Sequence, residues 1–187
     1  MRMLRRNALS FLTFMPIAAA AESAFAAPVA VPEEKPKTAG KILFVVTSHG
    51  ELGNTGRKTG YWLSEVTRPW KVLKDAGYEI DFMSPKGGEC PVEGQNPSDP
   101  VNKAFAQDLS AQKKINFTIK PSEVKPEEYK AIFFAGGHGV MWDFPDNKEL
   151  AAITSKIYEN GGVVAAVCHG PAALINVKLS NGKFLVD

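Results

Sequence analysis

Cys168 and His169 stand between a run of small and β-branched residues, Val163-Val164-Ala165-Ala166-Val167, and the segment Gly170-Pro171-Ala172-Ala173-Leu174. The run has the composition of a strand buried on both faces of a parallel sheet. A proline followed by alanines favours a helix start. A thiol on the tight turn between them projects from the sheet beside unpaired N–H groups and the positive end of a helix dipole, both of which favour the thiolate. His169 can hold or relay the thiol proton. The chemistry that this pattern suits is attack by sulfur on an electrophilic centre. The competing reading of Cys168 is a buried apolar cysteine.

Three other places carry groups of use to such a nucleophile. Gly136-Gly137-His138-Gly139 closes an apolar run, Ala131 to Ala135, and glycines there leave N–H groups free to cradle an anion or oxyanion. Met141-Trp142-Asp143-Phe144-Pro145 follows as a wall for the pocket, or as plain loop packing. Glu65 lies in the first turns of a helical segment among aromatic and aliphatic neighbours, which suits acid-base work; the alternative is a helix N-terminal glutamate stabilised by the dipole. His49, at the end of the apolar run Ile42 to Val46, is either a pocket residue or a solvated strand-end histidine.

These residues need a frame of alternating strands and helices. Ile42 to Val46 reads as the first buried strand, and Glu79 to Ser84, with a period of two, as a more peripheral one. Tyr61 to Ala76 reads as helix, kinked or restarted at Pro69 and stopped at Gly77. A long loop over Pro85 to Pro100 precedes a helix over Val101 to Asp108, and Ile115 to Ile119 reads as a short strand or an extended stretch. A turn of helix over Pro126 to Tyr129 leads into the third central strand, Ala131 to Ala135. Asp146 or Asn147 can cap the next helix, which carries Leu150, Ile153 and Ile157 on one face and ends near Asn160-Gly161. A last strand begins at Lys183 to Val186. This order predicts an α/β fold: a doubly wound, mostly parallel sheet with helices on both faces, a flavodoxin-like three-layer sandwich.

The chain has 187 residues, 44% apolar and 22% charged, with a formal charge of +2. That is one domain plus an extension, and too weak a charge to imply a nucleic-acid partner. Arg2, Arg5 and Arg6 precede an apolar core from Leu9 to Ala21 and the small residues of Ala24-Phe25-Ala26, the pattern of a signal peptide over residues 1–26 cleaved after Ala26. The expectation is export to the periplasm or medium and no membrane association after cleavage. An uncleaved anchor is the alternative, and Arg5-Arg6 raises the twin-arginine route. Residues 27–40 read as a linker and residues 41–187 as the domain, expected to be incomplete at its C-terminal end. Cys90 and Cys168 are the two cysteines; an oxidising compartment allows them to pair, which would block the nucleophile.

Four motifs in order, Thr59-Gly60-Tyr61-Trp62-Leu63-Ser64-Glu65, Ser84-Pro85-Lys86-Gly87-Gly88, Gly136 to Phe144 and Val167-Cys168-His169-Gly170-Pro171, resemble the ThiJ/PfpI superfamily. Within it they are similar to the branch of glutathione-independent glyoxalases and heat-shock chaperones, with a class I glutamine amidotransferase-like fold. The resemblance implies that Cys168 is the nucleophile, His169 its partner and Glu65 the acid near the sulfur. It assigns the N–H groups of Gly137 and His169 to the oxyanion, with His138 and Trp142 at the substrate site. It implies conversion of methylglyoxal or a related α-oxoaldehyde to a hydroxy acid, a glyoxalase III-type lyase of the D-lactate dehydratase class, with no cofactor and no metal. The expected partners are a small aldehyde and a second copy of the chain in a homodimer. In the family a carboxylate on a segment beyond Lys183 to Val186 orients the histidine; this sequence lacks that segment, which implies weakened activity. Other readings are a holding chaperone, which predicts that Cys168→Ala keeps function, a thiol redox sensor in which Cys168 oxidises to a sulfinic acid under Glu65, and a cysteine hydrolase.

Overall fold

The computed structural model describes residues 38–187. The expected signal peptide and nearly all of the expected linker lie outside them. Strand β1 (Gly40–Val45) is the axis of the fold. Side chains alternate across a strand, so Leu43 and Val45 enter one core and Ile42 and Phe44 the other. On either side β1 pairs in parallel with β3 (Tyr78–Met83) and β5 (Tyr129–Phe134), and β5 pairs in parallel with β6 (Val163–Ala166), giving the order β3-β1-β5-β6.

Helices α1 (Leu63–Asp75), α2 (Pro100–Gln107) and α3 (Leu109–Asn116) place Val66, Trp70, Phe105, Ala111 and Ile115 in the core that holds Ile42 and Phe44. On the other face α5 (Lys148–Glu159) places Leu150, Ile153 and Ile157 against Leu43, Val45, Ile132 and Phe134. This is the expected three-layer α/β sandwich. The chain leaves β1 first toward β3 and later toward β5, so the sheet reverses its winding between β1 and β5. The crevice at the carboxyl ends of such strands is where ligands bind in this architecture.

Caps mark the helix starts. Asp99 Oδ1 accepts from the N–H groups of Val101 and Asn102 at 2.8 and 3.2 Å, and Asp108 Oδ1 accepts from Ala111 N at 2.8 Å. Asn147, the second of the two expected candidates, caps α5 through Glu149 N and Leu150 N. Pro69 does not restart α1, which runs unbroken from Leu63 to Asp75, and the helix begins two residues later than expected because Tyr61 and Trp62 are extended.

Several expectations are corrected. Among the described residues the strand before Cys168 lies at the edge of the sheet and is not a doubly buried central strand; Val163 is 62% exposed and the rest of β6 is half-buried. The helix expected from Pro171 is a single 3-10 turn, Gly170–Ala173, too short to carry a useful dipole. Ile115 belongs to α3, and only Thr118 and Ile119 bridge to Gly88 and Met83. Lys183 to Val186 forms no strand beyond one bridge between Phe184 and Lys178. Gly40, expected in the linker, opens β1. The long loop over Pro85 to Pro100 hides β4 (Val92–Glu93), which pairs in parallel with β2 (Tyr61–Trp62), a short strand in front of α1. Among the described residues no helix is long and apolar enough to cross a membrane.

Candidate active site

Cys168 sits one residue after Val167, whose N–H still bonds to Phe134 O at 3.1 Å as an extension of the ladder. The backbone then reverses: Gly170 N donates to Val167 O at 2.7 Å. Cys168 has φ +56°, the one non-glycine residue with positive φ among those described. A β-carbon in that conformation costs about 1–3 kcal/mol, held here by the packing on both sides of the turn. Gly170 is needed for it, because a β-carbon there would lie 2.4 Å from Phe134 O. The consequence is an exposed sulfur at the mouth of the crevice. Its Sγ is 3.2 Å from His169 Nδ1.

Glu65 reaches the same place from the first turn of α1. Its Oε2 accepts from Gly136 N at 2.8 Å. A β-carbon on Gly136 would lie 2.7 Å from Cys168 Cβ, 2.7 Å from Glu65 Oε2 and 2.8 Å from His169 N. Those three groups therefore converge on a position where only glycine fits. Trp62 N donates to Gly136 O at 3.1 Å, fastening β2 and hence α1 to the end of β5. Gly137, with φ +101°, passes so close to the Gly60 carbonyl that a β-carbon would lie 2.2 Å from it. Neither Gly137 N nor His169 N is engaged by another group among the described residues, which leaves both N–H groups for an oxyanion.

His138 follows, half-exposed, with its ring 5.1 Å from that of His169 and tilted 40°. Its Nδ1 lies 3.1 Å from Glu93 Oε1, and its backbone N donates to the same oxygen at 3.0 Å. Thr59, which is buried, donates its hydroxyl to that oxygen at 3.1 Å. Burial raises the Glu93 carboxyl, but these bonds outweigh it and hold it below the usual glutamate range. Glu93 was not singled out in the sequence. A glutamate between Val92 and Gly94 in a loop rich in glycine and proline carries no local signal, and only the pairing of β4 with β2 brings it here.

Trp142 is on α4 (Val140–Asp143), a single turn. It stacks on His49 with ring centroids 4.9 Å apart and 7° between planes, so His49 and Trp142 form one flank of the crevice. Asp143, beside Trp142, accepts from Thr47 Oγ1 at 2.7 Å and from Ser48 N at 2.8 Å, and Thr47 Oγ1 accepts from His49 N at 2.9 Å. Burial pushes the Asp143 carboxyl up against the pull of those two bonds. It ties the loop after β1 to the wall.

Cys90 is buried and free, with Sγ 3.7 Å from Thr118 Oγ1, and burial raises its thiol. Cys168 is equally free of a disulfide. No group of three potential metal ligands occurs among the described residues. A cavity of about 530 Å³, lined by Tyr61, Leu63, Val92, Phe105 and Ile115, backs onto the β2–β4 ribbon and holds none of the groups above. Cys168 instead is exposed to solvent.

Residues 58–185 match the DJ-1/PfpI family. The glutathione-independent glyoxalase HSP31 of Saccharomyces cerevisiae is 37% identical over 142 residues, covering 71% of this chain and 58% of that protein. Glyoxalase 3 of Candida albicans is 35% identical over 149 residues, covering 73% and 61%. Among solved structures, the 24 kDa rapid encystment protein of Francisella tularensis is 42% identical with a TM-score of 0.74, over 79% of this chain and 66% of that one. Glyoxalase III of Candida albicans is 31% identical with a TM-score of 0.71, over 79% and 65%. The chain spans about three fifths of the length of the curated relatives it matches.

Proposed function

Because the chain belongs to the DJ-1/PfpI family, we propose that it is a cysteine-dependent, glutathione-independent glyoxalase that converts methylglyoxal or a related α-oxoaldehyde to the hydroxy acid. The observation that carries this reading is Cys168 itself, exposed at positive φ with His169 Nδ1 at 3.2 Å. The names of its relatives, glyoxalases in yeast and Candida, support the same chemistry.

Cys168 Sγ adds to the aldehyde carbon, and its proton passes to His169 Nδ1. The N–H groups of Gly137 and His169 stabilise the alkoxide, which then takes up a proton to give the hemithioacetal. Glu65, with Oε2 pinned by Gly136 N, removes the hydrogen on that carbon and returns it to the neighbouring carbon. The product is a thioester on Cys168 with a hydroxyl where the ketone stood. Water cleaves it, releasing the hydroxy acid and the free thiol. No electrons leave or enter overall, so the reaction needs no redox partner; its net change is the addition of one water to the oxoaldehyde, the reverse of a dehydration, which is the ground for reading it as a lyase of the D-lactate dehydratase class.

The test is lactate formation from methylglyoxal in the absence of glutathione. The chain forms lactate and Cys168→Ser does not; equal rates in the two overturn the reading.

A further inference from the structure

Isomerising a hemithioacetal to a hydroxy thioester moves two protons, one between carbons and one between oxygens. Glu65 serves the carbons in the reading above, and His169 Nδ1 is engaged by the sulfur at 3.2 Å. The oxygens need a further carrier. The ring packed beside His169 is that of the half-exposed His138, 5.1 Å away. It is held with unusual care for an exposed side chain: one carboxylate oxygen, Glu93 Oε1, takes both its backbone N–H at 3.0 Å and its Nδ1 at 3.1 Å. That oxygen is itself anchored by the hydroxyl of the buried Thr59 at 3.1 Å. A carboxylate only accepts, so Nδ1 carries the hydrogen and Nε2 is left with a lone pair.

Building on the glyoxalase reading, we propose that His138 is a catalytic residue that carries the proton between the two substrate oxygens, and that Glu93 is the positioning residue that fixes its ring and tautomer. His138 Nε2 takes the hydroxyl proton of the hemithioacetal as the C–H proton goes to Glu65. The imidazolium is then stabilised by Glu93, and Nε2 returns the proton to the former ketone oxygen as carbon is reprotonated. Both protons are restored, and His138 and Glu65 end as they began. The carboxylate that orients a histidine here comes from β4, the strand paired with β2 in front of α1.

The experiment compares wild type with Glu93→Ala and with Glu93→Gln, which keeps an acceptor but not the charge. Steady-state lactate formation gives kcat and KM. Long-range ¹H–¹⁵N spectra give the tautomer of each of the three histidines, with His49, whose Nε2 donates to Glu51 O, as the reference for the opposite form. The expected results are Nδ1–H at His138 in wild type, its loss in Glu93→Ala, and kcat lowered about 100-fold with KM little changed, the size of a lost acid-base group. Glu93→Gln falls between the two and keeps the comparison if the alanine variant does not fold. A wild-type chain that makes lactate and loses less than about twofold in kcat in both variants overturns this proposal alone, as does Nε2–H at His138 in wild type. A wild-type chain that makes no lactate removes the glyoxalase reading and the carrier role together.

Discussion

Replacing Gly136 by alanine tests the crowding at the site without removing any of its functional groups. The new methyl carbon would start 2.7 Å from Cys168 Cβ and from Glu65 Oε2, and 2.8 Å from His169 N. Carbon contacts settle at about 3.5–4.0 Å, so Cys168, Glu65 or the turn must give way by on the order of 1 Å. A displacement of that size at reacting groups costs about 100-fold in rate. Overpacking costs about 1–3 kcal/mol in stability, which lowers Tm by about 2–10 °C in a domain of this size. Gly182→Ala is the control. Its φ is +81° with nothing within 4 Å of a β-carbon, so it costs about 1 kcal/mol of backbone strain and leaves the crevice alone. The assays are lactate formation and calorimetry on both variants. The reasoning is refuted if Gly136→Ala keeps kcat/KM within about threefold of wild type, or if Gly182→Ala loses activity to the same degree.

Asp143→Ala strips the acceptor from Thr47 Oγ1 and Ser48 N; unfolding by urea should show a loss of about 1–3 kcal/mol, with the His49–Trp142 flank disordered in the spectra. Acid should act in part through the capping carboxylates. Hydrogen bonds from the Val101 backbone and the Arg68 side chain lower Asp99, and those from the Lys74 side chain and the Ala111 backbone lower Asp108. Their stabilisation is therefore full above the ordinary aspartate range and is lost as pH falls through their lowered folded values. Asp143, raised by burial, works in the opposite sense, giving stability that is full below the ordinary range and lost as pH rises through its folded value. Tm measured from pH 6 down to pH 2 should fall less steeply in Asp99→Asn and Asp108→Asn than in wild type; identical slopes contradict the capping account.

The sheet was legible wherever a strand is a continuous apolar run. β1 and β5 announce themselves because both of their faces are covered, and α5 because Leu150, Ile153 and Ile157 share one face. β6 has the same composition as a central strand, yet edge or centre is decided by neighbours far along the chain, so Val163 was misplaced. Ile115 looked like strand because β-branched and aromatic residues surround it. Asp108 starts a helix instead, and burial of Ala111 and Ile115 in the core beside Ile80 and Phe82 of β3 and Phe105 of α2 decides the matter. Pro171-Ala172-Ala173 has helical propensity, but the elbow holds Gly170 against the Phe134 carbonyl and only one 3-10 turn forms. Cys168, His169, Glu65 and the Gly136–His138 turn were readable because each closes or opens an element. Glu93 was not, since a two-residue strand has no period and its partner lies 31 positions earlier in β2.

The account stands on a single reachable sulfur to which substrate adds. Native protein treated with iodoacetamide and digested for mass spectrometry reads this directly. Cys168 should be carboxamidomethylated while the buried Cys90 is not, and methylglyoxal should slow the modification of Cys168. Labelling of Cys90 at the same rate, or no protection of Cys168 by methylglyoxal, contradicts it.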